Sequence, residues 1–156
     1  MINQRSIQPI IILMADDDAD DRLMAKEAFE EGHVANDLHF VENGVELLEY
    51  LRREGEYADS DHSPMPDLIL LDLNMPRKDG REALKEIKAD PALRSIPVVV
   101  LTTSQAEQDI ECSYDIGAAG FISKPVTFEG LVEIVKKLGE YWVQIVKLPQ
   151  KKAGER

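Results

Sequence analysis

The chain has 156 residues, enough for one domain with a sizeable core, and an apolar fraction of 44% excludes a disordered polymer. Lys plus Arg is 18 and Asp plus Glu is 30, a net charge of −12, which argues against a nucleic-acid backbone or an anionic membrane as main partner. The single cysteine, Cys112, rules out an intramolecular disulfide and suggests no cysteine-based zinc site.

The apolar run at 9–15 is too short for a signal peptide, and no stretch approaches the length of a membrane span. A soluble cytoplasmic protein is expected. In chain order, short apolar runs alternate with segments of helical period. The runs are IIILMA (10–15), LHFV (38–41), LILLDL (68–73), VVVLTT (98–103) and GFIS (120–123). The first, third and fourth are almost continuous Ile, Leu and Val, as in strands buried on both faces of a parallel sheet.

Between the runs, residues 20–31 place Met24, Ala25, Ala28 and Phe29 on one side before Gly32 as a stop. Residues 44–54 group Val45, Leu48 and Leu51, followed by a polar, turn-rich surface insertion at 52–66. Asp79 with Glu82 forms a capping-box-like start for a helix carrying Ala83, Leu84 and Ile87. Asp90–Pro91 fits a further N-cap with proline at the first helical position. Ser104 with Glu107 is a second capping box, leading to Ala106, Ile110 and Tyr114 with Gly117 as the stop, and Cys112 reads as a small buried residue of that helix. The last helix starts near Thr127 and carries Leu131, Ile134, Val135, Leu138, Tyr141, Trp142 and Ile145 on one stripe. The pattern is (βα)5, a doubly wound α/β sandwich over 1–148 with a basic tail at 149–156.

In such a sheet, functional groups gather beyond the C-terminal ends of the strands. The first strand runs into Asp16, Asp17, Asp18, Asp20 and Asp21; the third ends at Asp72, the fourth at Thr102 and Thr103, the fifth at Lys124 followed by Pro125. Carboxylates this close cannot all stay ionised without compensation. Hard oxygen ligands with room for water select Mg²⁺, for which Mn²⁺ can substitute. A carboxylate is also a nucleophile toward phosphorus, and a cation, a lysine and a hydroxyl are the groups that neutralise phosphoryl oxygens.

The acidic pair, LLDLNMPRKDG, IPVVVLTTS and GFISKP, in that order and at strand ends, resemble the receiver domain of two-component response regulators over roughly residues 9–138. The resemblance implies a five-stranded parallel sheet of flavodoxin-like order 2-1-3-4-5. It implies that Asp72 accepts a phosphoryl group from a phosphohistidine on a sensor kinase or histidine phosphotransfer protein. Asp16 and Asp17 would bind Mg²⁺ together with Asp72 and the backbone carbonyl of Asn74. Thr102 and Lys124 would engage the phosphoryl group, and Pro125 would orient Lys124 as a cis-proline. Thr102 and Phe121 match the family's switch pair, although Phe121 reads equally well as core packing. Asn74 and Ser104 match positions that tune the lifetime of an aspartyl phosphate. Asp18 lies one residue past the acidic pair and reads as a solvated or helix-capping residue. The three histidines, His33, His39 and His62, lie outside these motifs and read as surface or loop residues.

If the last helix continued to 147 it would be about 32 Å long, against about 17–20 Å for a strand of five or six residues. The overhanging Tyr141, Trp142, Ile145 and Val146 then either fold back or face a partner, and a homodimer is the reading adopted here. The insertion at 52–66, KDGRE and YWVQIVKLP look like the small, stand-alone regulators that work with bacterial phytochrome-type kinases. Output would come by protein contact or by phosphoryl relay, with no enzymatic turnover of an external substrate. A pseudo-receiver scaffold that never becomes phosphorylated conflicts with the intact Asp72, Lys124 and acidic pair. An aspartate-nucleophile phosphohydrolase would need an acid where Asn74 stands, and a flavodoxin-like cofactor binder would need a Ser/Thr/Gly loop where Asp16 to Asp18 stand.

Overall fold

A computed structural model describes residues 9–59, 62–103, 107–124 and 127–140. Strands β1 (Ile10–Ala15), β2 (Asn36–Val41), β3 (Leu68–Leu71), β4 (Val98–Thr102) and β5 (Gly120–Ser123) alternate with helices α1 (Ala19–Glu31), α2 (Gly44–Arg52), α3 (Gly80–Ala89), α4 (Glu107–Ile116) and α5 (Phe128–Glu140). All pairings are parallel and the order is β2-β1-β3-β4-β5. The chain reverses direction across the sheet between β1 and β3, which opens a crevice at their C-terminal ends.

Successive residues of each central strand face opposite layers. Leu13, Ala15, Ile69, Leu71, Val98 and Val100 pack against Leu47, Leu48 and Leu51 of α2 and Ala83, Leu84 and Ile87 of α3. Ile12, Met14, Leu68, Leu70, Val99 and Leu101 pack on the other side with Ala25, Ala28 and Phe29 of α1 and Leu131, Val132 and Val135 of α5. Burial on both faces is why these strands are nearly continuous Ile, Leu and Val.

Register then sets the site. Met14 and Ala15 pair with Leu70 and Leu71, so the next residues of the two strands, Asp16 and the residue hydrogen-bonded across to Ala15, emerge side by side. That residue is Asp72, whose N–H donates to the Ala15 carbonyl at 3.0 Å. Thr102 pairs with Ser123 across β4 and β5, and the Lys124 N–H donates to the Thr102 carbonyl at 2.7 Å.

Several expected details differ. β2 begins at Asn36, two residues before the apolar run, because ladder bonding to β1 and not side-chain polarity sets its start. β3 and β4 stop short of the apolar runs, at Leu71 and Thr102. Gly32 ends α1 with a right-handed backbone, and the left-handed residue is His33 at φ 57. Val45 is only half-buried, and α2 turns Leu47 to the core instead. In α5, Ile134 is half-buried and Val132 takes the inner position. Asp90–Pro91 starts no helix: Asp90 closes α3, and its carbonyl accepts from Leu93 N–H at 2.9 Å and Arg94 N–H at 2.8 Å in a single turn. Too few residues separate Pro91 from β4 for more. Cys112 is exposed, because α4 turns Ser113 inward, about 100° round the helix from Cys112 and Tyr114.

The insertion after α2 is less of an excursion than its composition suggests. It makes a short 3-10 turn at Gly55–Tyr57, with Tyr57 and Met65 packed on the core. The Tyr50 hydroxyl donates to the Pro64 carbonyl at 2.8 Å, and the Arg53 guanidinium donates to the carbonyl of buried Ser63. Ser104, Pro125 and the stripe of Tyr141, Trp142, Ile145 and Val146 lie outside the described residues. So do the continuation of the last helix to 147, the homodimer expected from it and the domain boundary at 148.

Candidate functional site

The site is built from the ends of β1, β3, β4 and β5. Asp16 is buried directly beyond β1, with its N–H donating to the Val41 carbonyl at 3.0 Å. Its Oδ1 accepts from the Asp18 N–H at 2.9 Å, and its carbonyl accepts from Arg22 at 2.7 Å. Asp17 is exposed. Asp18 is the N-cap of α1: its carboxylate accepts from the N–H groups of Asp20 and Asp21. The acidic run therefore divides by role, with Asp18 turning the chain into the helix and Asp16 left facing the pocket.

Asp72 is buried beyond β3. Its Oδ1 accepts from the Thr102 hydroxyl at 2.8 Å and from the Asn74 N–H at 3.0 Å. The Asn74 amide donates to the Thr102 hydroxyl oxygen at 3.2 Å and to Thr103 at 3.4 Å. The backbone after Asp72 folds tightly back on itself. The Gly80 N–H donates to the Leu73 carbonyl at 2.9 Å, and a Cβ on Gly80 would lie 2.3 Å from the Asp72 carbonyl oxygen. The glycine of KDG is thus required by close approach to the carboxylate's own backbone.

Lys124 is buried and reaches three carboxylates. Its Nζ is 2.6 Å from Asp21, 2.7 Å from Asp16 and 3.5 Å from Asp72. Burial alone would lower the ammonium's pKa, but the hydrogen bonds to Asp16 and Asp21 outweigh it and hold Lys124 above the usual lysine range. Burial pushes the Asp16 carboxyl up, against the lowering pull of Lys124 and the Asp18 N–H. Asp16, Asp17 and Asp72 each offer a carboxylate oxygen, and these oxygens lie within 4.8 Å of one another. That donor set is all hard oxygen, charged beyond what one ammonium compensates, and open on the Asp17 side. It fits a hard divalent cation.

The chain matches the family model for the response regulator receiver domain over residues 12–136. The chain belongs to the response regulator receiver family. This receiver is 37% identical over 148 residues to the response regulator Rcp1 of Synechocystis sp., covering 95% of the chain and 99% of that relative. Among solved structures, it is similar to the phosphorylated cyanobacterial phytochrome response regulator RcpA, with a TM-score of 0.81 and 45% identity, covering 90% of the chain and 99% of RcpA. The Mn²⁺-bound form of Rcp1 gives a TM-score of 0.79 and 38% identity, again over 90% of the chain and 99% of the neighbour. The receiver therefore has the expected fold and belongs to two-component signalling, among relatives that include phytochrome response regulators.

Asp16, Asp17, Asp72, Asn74, Thr102 and Lys124 come together in the receiver as one cluster. Phe121 is partly buried and packed on the α2–α3 side of the core. Sequence reasoning missed two residues. Asp21 stands in the sequence only as a member of the acidic run after the first strand, yet it is a close partner of Lys124. Arg22 donates to the Asp16 carbonyl and lies 3.5 Å from Glu42. The available signal was spacing: with Asp18 as cap, residues three and four further on lie one turn up α1 and can point back toward the strand end. Among the described residues no helix is long and apolar enough to cross a membrane.

Proposed function

We propose that Asp72 is the phosphoacceptor of this receiver, taking a phosphoryl group from a phosphohistidine in a divalent-cation-dependent reaction. The observation that carries this reading is the state of the Asp72 carboxylate. One oxygen is held by Thr102 and Asn74, the other faces Lys124, and Asp16 and Asp17 stand alongside. A carboxylate oriented in this way presents an oxygen lone pair to phosphorus. As the O–P bond forms, the N–P bond to the donor imidazole breaks and its electron pair returns to the ring nitrogen.

The residues suit that transfer. Thr102 and Lys124 are placed to hold and neutralise phosphoryl oxygens, and the Thr102 hydroxyl must leave Asp72 to do so. Asp16, Asp17, Asp72 and the Asn74 carbonyl would hold Mg²⁺, with Mn²⁺ as a substitute. The bound cation supplies positive charge against the phosphoryl oxygens. That a solved form of Rcp1 is Mn²⁺-bound and a solved form of RcpA is phosphorylated supports both a cation and a phosphoryl group for a receiver of this kind. The partner is then a histidine kinase or histidine phosphotransfer protein in the cytoplasm, and likeness to RcpA favours a phytochrome-type kinase. Switching runs through Thr102 and the packing of Phe121. Asn74 carries an amide where an aspartate-nucleophile hydrolase needs an acid, which supports signalling over turnover of an external ester.

With Mg²⁺ and a small phosphodonor such as acetyl phosphate, the wild type should gain one acid-stable, base-labile phosphoryl group by intact mass. Asp72→Asn should gain none. Labelling of the variant to the wild-type extent would move the acceptor elsewhere.

A further inference from the structure

Lys124 rests closer to Asp21 and Asp16 than to Asp72, at 2.6 and 2.7 Å against 3.5 Å. Asp21 lies in the first turn of α1, where the Asp18 cap fixes the chain by accepting the Asp20 and Asp21 N–H groups. Its side chain is partly exposed, while Asp16 and Lys124 are buried.

We propose that Asp21 is a positioning residue for Lys124: it holds the ammonium in the pocket so that Asp16 can turn to a divalent cation without Lys124 competing for it. This rests on reading Asp16, Asp17 and Asp72 as the cation site. An ammonium has three N–H donors and no acceptor, and a buried one loses heavily when a carboxylate partner is withdrawn. If Asp16 and Asp72 alone shared it, cation binding at Asp16 would break a buried ion pair. With Asp21 in place, one short ion pair survives the exchange, and Lys124 stays within reach of Asp72.

Asp21 also adds negative charge to a helix N-terminus, a simpler role that the test must separate. A double-mutant cycle does so. Mg²⁺ affinity is measured calorimetrically for the full chain, Asp21→Asn, Lys124→Met and the double variant, with Lys124→Gln replacing Lys124→Met if the latter fails to fold. Asp21→Asn should weaken Mg²⁺ binding roughly fivefold to tenfold, the scale of coupling between groups in contact. In the background lacking the ammonium, the same substitution should change affinity by less than about twofold, since no partner is left to couple to. An equal loss in both backgrounds would assign Asp21 to helix electrostatics, and an unchanged affinity in the single variant would remove its role; either overturns the inference while wild-type Mg²⁺ binding stands. Absence of Mg²⁺ binding in the wild type would overturn the cation-site reading and this inference with it.

Discussion

At the scale of residues, Asp16 is caught between burial and charge. Burial pushes its carboxyl above the ordinary 3.8, while Lys124 pulls it back. A carboxyl raised in the folded state keeps its proton to higher pH than in the unfolded chain. The metal-free protein therefore loses stability as pH rises from 3.8 through the raised value of Asp16. A divalent cation takes the proton's place, so Mg²⁺ affinity should rise over that same window. Asp16→Asn removes one of three clustered carboxylates, and thermal unfolding without metal should show it more stable than wild type by about 1 kcal/mol near neutral pH. The same variant should bind Mg²⁺ weakly. A destabilised Asn variant would mean that the Lys124 ion pair outweighs the cost of burying the Asp16 carboxylate. The convergence of Asp72, Thr102 and Lys124 was legible because each stands at the end of a different strand, and strand ends of a parallel sheet share one edge. Asp21 was not, because the helix dipole already gave a sufficient local reason for an acid there, and only the distance to Lys124 shows more.

At the scale of elements, the β3–α3 connection separates stability from site geometry within two adjacent residues. Asp79 caps α3 by accepting the Arg81 and Glu82 N–H groups. Its guanidinium neighbour Arg81 also bridges to Asp109 of α4 at 2.8 Å. Asp79→Ala should cost about 1 kcal/mol in urea unfolding, the usual worth of an N-cap, with Mg²⁺ affinity nearly unchanged. Gly80→Ala places a methyl 2.3 Å from the Asp72 carbonyl oxygen and must shift that backbone. It should cost roughly 1–3 kcal/mol and also weaken Mg²⁺ binding. Equal effects of the two on Mg²⁺ would contradict the argument. Strand existence was readable from continuous apolar runs, whereas strand ends were not. Leu73 is as apolar and buried as Leu71, but the chain leaves the ladder before it. Most inner positions of α2 and α5 were readable, but Leu47 replaces Val45 and Val132 replaces Ile134, and α4 turns the polar Ser113 inward, because an apolar side chain on the stripe's edge competes with another two positions along for the same core.

At the scale of the molecule, the net charge is −12, and part of that excess sits where β1 and β3 end in Asp16, Asp17 and Asp72 beside Lys124. The fold tolerates this repulsion because the sheet edge is fixed by two apolar layers, and a divalent cation bound there would relieve it. Mg²⁺ at about a hundred times its dissociation constant should then raise stability by about 2.7 kcal/mol, with equal ionic strength of NaCl as control. Asp17→Ala should abolish most of that gain while changing metal-free stability little, because Asp17 is exposed. Stabilisation by NaCl alone to the same extent would indicate screening of the overall charge instead of a bound ion.

The central claim is that Asp72 is the residue phosphorylated. Transfer from an autophosphorylated histidine kinase, followed by borohydride reduction of the acyl phosphate and peptide mapping, tests it most directly. The modification should fall on Asp72, require Mg²⁺ and vanish in Asp72→Asn; a reduced residue at any other aspartate in the wild type would contradict the account.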